Sequence, residues 1–144
     1  MNRRILLLII SISFFGCFSN NDKNTINKSE EKYLKSIELL ENNEKILAFS
    51  TSLNIEKSGN FVSNKKIASY WIDQKPEKSY KYFALFSEIE RIESEDNSKS
   101  WTYSSSLTIF KKDGSSFKVY IDGKKEKYEN FKKIAIDNWK KNVP

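Results

Sequence analysis

With 144 residues, 25 Lys and Arg against 19 Asp and Glu, a single cysteine and no histidine, this chain lacks the raw material for several kinds of protein. One cysteine forbids an intramolecular disulfide. The missing histidine takes away a common metal ligand and the usual general base near neutral pH, which disfavours most metalloenzyme and hydrolase chemistries.

The first residues place Arg3 and Arg4 before an uncharged apolar run from Ile5 to Phe15, which stops at Gly16 and Cys17. That is the layout of a secretory signal peptide, residues 1–16. Crossing the hydrocarbon core takes roughly 20 apolar residues, so a permanent span fits less well. Cys17 stands where lipoprotein processing needs a thiol to accept a diacylglyceryl group, and Gly16 is the small residue wanted before the cut. Phe14 and Phe15 depart from the usual Leu-Ala/Ser-Gly-Cys pattern, and the plain alternative is a spare thiol in the leader. The expectation is a bacterial lipoprotein precursor that carries palmitate-type chains on Cys17 and is anchored to a membrane of the cell envelope. Inner and outer membrane are left open, although Phe18 and Ser19 carry no acidic retention signal. An exported chain is not expected to meet nucleic acid. Without Arg3 and Arg4 its formal charge of +6 falls to about +4, a weak attraction toward anionic lipid.

From Cys17 to Lys28 the residues are mostly Ser, Asn, Asp, Lys and Thr, too polar to offset the entropy of ordering, and a flexible tether is expected. Residues 29–144 then suffice for one domain. Ser29 before Glu30 and Glu31 reads as a helix start. Tyr33, Leu34, Ile37 and Leu40 recur at helical spacing until Asn42-Asn43. A packed face is the simplest account of that stripe, and a partner-binding helix is the less economical one.

After Glu44 the pattern becomes that of strands, rich in aromatic and β-branched residues: 45–51, 59–63, 66–72, 80–86, 88–92, 101–110 and 117–121, separated by short polar turns. The clearest hairpin joins Leu107–Phe110 to Phe117–Ile121, with Gly114 supplying the turn; Phe117, Val119 and Ile121 share the core face. Tyr128 to about Lys141 closes the chain as an amphipathic helix, with Tyr128, Phe131, Ile134, Ala135 and Trp139 on one stripe. Such a helix covers an open end or face of a sheet, and Trp139 is the expected plug.

Possible sites are few. Glu88, Glu90, Glu93, Glu95 and Asp96 concentrate negative charge, but a calcium loop needs six to eight oxygens on a tight turn and this stretch has no glycine. The pairs Lys65-Lys66, Lys111-Lys112, Lys124-Lys125 and Lys132-Lys133 read first as solvated faces and only second as a headgroup or acidic-partner surface. Ser104-Ser105-Ser106 has no visible base to activate a nucleophile. Tyr70-Trp71 and Trp101 with Tyr103 could form a ligand surface, but packing is the commoner use of such residues.

Read together, several segments resemble the bacterial pleckstrin-homology-like domains. These are Leu40–Phe49, with Glu44-Lys45-Ile46-Leu47; Gly59–Tyr70, with Gly59-Asn60-Phe61-Val62-Ser63-Asn64-Lys65-Lys66; Phe86–Ile92; the Asp113–Val119 hairpin; and the closing helix. The resemblance runs from about Glu41 to Lys141. It implies an α+β fold, an antiparallel sandwich or barrel capped by the C-terminal helix, here preceded by a short N-terminal helix. It also implies a non-catalytic binding or adaptor role, with no cofactor and with a protein or lipid headgroup as partner. The alternative is a cone-shaped helix and curved sheet that holds an apolar ligand. The positions of the two helices discriminate between them.

Overall fold

The computed structural model describes residues 25–143. The leader, Cys17 and most of the tether lie outside the described residues. The elements are α1 (Lys28–Ser36), β1 (Ile46–Ser50), β2 (Ser58–Ser63), β3 (Lys66–Trp71), β4 (Tyr80–Leu85), β5 (Ile89–Glu95), β6 (Ser105–Lys111), β7 (Ser116–Ile121) and α2 (Lys125–Asn142), with short 3-10 turns at Pro76–Lys78 and Phe86–Glu88.

The start of α1 is set by Asn27 rather than Ser29. The Asn27 side chain accepts from the Glu30 amide at 2.9 Å while the Glu30 carboxylate accepts from the Asn27 amide at 2.7 Å, a capping box that satisfies two donors at once. The helix stops at Ser36, six residues before the expected Asn42. Glu38 turns left-handed at φ 62°. The Leu39 amide then reaches back to the Leu34 carbonyl at 3.0 Å and the Glu38 amide to the Lys35 carbonyl at 3.1 Å. These are the two bonds of a Schellman ending, and Leu34 with Leu39 supplies the hydrophobic contact that accompanies it.

β1 to β4 form one antiparallel sheet in chain order, and β5 to β7 form a second. The strands alternate, so each puts one set of side chains between the sheets. Ala48, Val62, Ile67 and Ala84 from the first sheet meet Leu107, Ile109, Phe117, Val119 and Ile121 from the second. The helix α2 touches β1, β2, β5, β7 and the 86–88 turn, closing the gap with Tyr128, Phe131 and Ala135. Trp139 is only partly buried against this core. Tyr128 and Phe131, two turns or more earlier, are the large side chains of α2 fully buried in that core.

The outer face of the first sheet has its own core. Phe49, Phe61, Ala68 and Tyr70 pack there under Leu34, Leu39 and Leu40 from α1 and the segment after it. β2 is therefore covered on both faces and buried along its whole length. Gly59 is required by this layer: a Cβ there would meet the Phe49 and Tyr70 rings at 2.7 Å. Two sheets with a closing C-terminal helix make the α+β, pleckstrin-homology-like arrangement that the resemblance implies. A single curved sheet around a helix, the alternative, is not what forms, since α1 lies outside one sheet of a pair.

Two consequences can be measured. Replacing Glu38 by glycine removes the left-handed penalty of a side chain, and Glu38→Gly is expected to raise unfolding free energy by about 0.5–1 kcal/mol in urea titration. The Tyr70 hydroxyl donates to the Ile55 carbonyl at 2.6 Å, and burial pushes its ionisation well above the ordinary tyrosine range. An unfolded tyrosine loses its proton near pH 10 while Tyr70 in the fold does not, so the stabilisation is complete below about pH 10 and falls as pH rises beyond it. Tyr70→Phe should lower stability at neutral pH and flatten its alkaline decline, as followed by circular dichroism from pH 8 upward.

Candidate functional site

The two segments that carry most of the resemblance meet in space. Glu44 and Lys66 are both buried, with Lys66 Nζ 3.1 Å from Glu44 Oε2. The Ser63 hydroxyl donates to Glu44 Oε1 and accepts from the Lys65 and Lys66 amides at 3.0 Å each. Glu44 also accepts the Glu41 amide at 3.0 Å. The Lys45 amide donates to Asn64 Oδ1 at 2.9 Å and the Asn64 amide to the Lys45 carbonyl at 3.0 Å. At the rim Lys65 pairs with Glu41 at 2.6 Å; the hydrogen bond and charge of Lys65 hold the Glu41 carboxyl below its ordinary range. Lys66 also lies 5.1 Å from the centre of the Phe83 ring.

This cluster is charged, buried and closed by its own members, which marks it as a lock on the β2–β3 turn. Removing one partner of such a pair strands the other charge. Lys66→Met is expected to cost about 3 kcal/mol in urea unfolding, and adding Glu44→Gln should recover part of that loss rather than add to it.

The acidic concentration resolves into surface pairs. Glu88 faces Lys111 at 3.6 Å, Glu93 faces Arg91 at 3.0 Å, Glu95 faces Lys118 at 3.7 Å and Asp96 faces Lys125 at 3.9 Å. Hydrogen bonds from Ser98, with help from Lys125, hold the Asp96 carboxyl below its usual range. Among the described residues no three His, Cys, Asp or Glu side chains gather as a metal set. On α2, Lys132 pairs with Glu129 at 2.9 Å and Lys133 with Asp137; their partners raise the Lys132 ammonium and lower the Asp137 carboxyl. The serine run is structural: Ser104 donates to Asp122, Ser105 accepts the Asn97 amide at 2.9 Å, and Ser106 is buried.

Besides the single exposed side chains Leu53 and Tyr120, two larger surfaces are not absorbed by packing. Trp101 is 102% exposed and Tyr103 72%; both sit on the β5–β6 loop, not in β6 and not in a core. The polar residues on either side, Asn97, Ser98 and Ser100 before it and Ser104 after it, are the sequence signal that this segment is a loop. The second surface is β4, which among the described residues pairs only with β3. Its other edge is free, and Tyr82, Phe83 and Leu85 are 50%, 45% and 38% exposed. Tyr80 stacks on Tyr82 with ring centres 4.8 Å apart, and Tyr82 continues to Phe117 at 6.1 Å. Tyr70, by contrast, is core, as packing would have it.

No protein-family model matches the chain, and no curated protein matches it. Among solved structures, the chain is similar to a DUF1696 family protein with a pleckstrin-homology domain from Shewanella loihica PV-4. The two are 14% identical, the match covers 74% of this chain and 93% of that chain, and the TM-score is 0.47.

Proposed function

We propose that this chain is the precursor of a bacterial lipoprotein, acylated at Cys17 and held at a membrane of the cell envelope, whose pleckstrin-homology-like domain is a non-catalytic binding or adaptor module. The anchor reading rests on the basic start, the short apolar run and Gly16-Cys17 at its end. The observation that carries the binding reading is β4. Before the Leu85 amide, which donates to the Glu88 carboxylate at 2.9 Å, its outer edge pairs with no strand among the described residues, and its exposed aromatics are surplus to the core; this is the geometry with which sheet proteins take up an extended peptide as one more strand. A protein segment in extended form is accordingly the partner we favour for that edge.

The intact mass of protein purified from membranes of the native host tests the anchor. The expected mass is that of a chain beginning at Cys17 with acyl groups, and Cys17→Ala should abolish both the added mass and recovery in the membrane fraction. A soluble, unacylated chain with another start would overturn the anchor.

A further inference from the structure

Trp101 and Tyr103 line a hollow of about 400 Å³ between the β5–β6 loop and the end of β7, together with Asn97, Ser100, Ser105 and Asp122. Asn97, Thr102, Tyr103 and Ser104 also line a second hollow of about 520 Å³, to which Tyr120 of β7 contributes. Both are of the size that small ligands occupy. The loop is fastened by its own polar groups: the Ser100 amide donates to the Asn97 carbonyl at 2.8 Å, Asn97 Nδ2 to the Ser104 carbonyl at 3.3 Å, the Asn97 amide to the Ser105 hydroxyl at 2.9 Å, and the Ser104 hydroxyl to Asp122 Oδ1. Each bond spends one end of a side chain and leaves the other. Among the described residues, Asp122 Oδ2 and Asn97 Oδ1 are left to accept, and the Trp101 indole N–H and the Tyr103 and Ser105 hydroxyls are left to donate.

Charge narrows the ligand. Asp122 is the only charged side chain among those lining the first hollow, and in the second Glu95 and Lys118 face each other at 3.7 Å. On a chain of formal charge +6, an anion would meet here a carboxylate and no unpaired cation. An organic cation would suit the carboxylate and the ring faces, but the indole N–H and the hydroxyl hydrogens would find no acceptor on it. A neutral polyhydroxyl compound uses both kinds of group, because each of its hydroxyls donates and accepts. The C–H face of a sugar ring is apolar and flat enough to cover an indole, and the Trp101 ring is 102% exposed with nothing of its own chain against it.

We infer that the hollow under Trp101 is a saccharide-binding site. One neutral sugar ring lies on the indole, with its hydroxyls donating to Asp122 Oδ2 and Asn97 Oδ1 and accepting from Ser105. The next ring passes Tyr103 into the second hollow, against Tyr120. This reading depends neither on the Cys17 anchor nor on the β4 edge, so its failure would leave both standing.

The test titrates the full chain, held in a sugar-free polyoxyethylene detergent, with chitotriose and with cellotriose, and follows binding by calorimetry and by tryptophan emission. Of the three tryptophans only Trp101 is fully exposed, so a sugar seated on it shifts emission to the blue. The expected result is saturable millimolar or tighter binding of at least one of the two, weakened about tenfold in Trp101→Ala and largely recovered in Trp101→Phe, which restores a ring. Asp122→Asn keeps an acceptor for Ser104 but loses the free carboxylate oxygen, and is expected to weaken binding as well. Because the Trp101 ring supports no core, its two variants keep the wild-type circular dichroism and decide the matter even where Asp122→Asn loosens the loop. Absence of saturable binding of both sugars, or equal affinity in wild type and Trp101→Ala, overturns the inference. So does a Trp101-dependent preference for tetramethylammonium over both sugars.

Discussion

A charge buried at Lys66 constrains everything around it. An ammonium taken out of water must be met by a carboxylate whose own lone pairs are all used, and Glu44 meets that demand with Ser63 on one oxygen and the Glu41 amide on the other. The segment before β1 is thereby tied to the turn between β2 and β3. Ile46 opposes Ser63, and a bulge between Ile46 and Ala48 puts the rest of β1 in phase with β2. A slip of one residue would turn Phe49 inward and Ala48 outward. It would also leave Lys66 without its partner, so the pair defines register more than it adds stability. The same tie brings Leu39 and Leu40 over the sheet, which gives α1 its seat.

The sheets are joined without a continuous ladder. Asn60, buried between them, accepts the Tyr120 amide at 3.1 Å and the Ser69 hydroxyl at 2.8 Å; Ser50 accepts the Asp122 amide at 3.3 Å. Amides of β7 that face away from β6 therefore find partners on side chains of the first sheet. β4 receives no comparable cover.

Most of the strands were legible because one face of each is buried and alternation survives. Phe117, Val119 and Ile121 illustrate it. The hairpin at Gly114 (φ 88°) was equally legible, since few residues other than glycine turn that way. The end of α1 was not. Leu39 and Leu40 continue the apolar count, and only the φ of Glu38, a residue with no propensity for it, shows that the chain has already turned. Trp101 misled for a related reason: in Trp101-Thr102-Tyr103 the residue types that favour strands stand in a loop, where composition alone cannot say that no core is opposite them. Trp139 sits on the correct stripe of α2, but a stripe does not tell how far along the helix the core extends. The buried pair at Glu44 and Lys66 was hidden by its composition, because charges in sequence read as surface until their partner, 22 residues away in the chain, is placed beside them.

The two uncovered surfaces do not compete. Tyr82 of β4 lies beside Phe117 at the beginning of β7, whereas the β5–β6 loop lies beside Ile121 and Asp122 at its end. The length of β7 between those points is about 13 Å at strand rise. An extended segment added along β4 would therefore lie clear of the β5–β6 loop, so that occupation of one surface need not disturb the other.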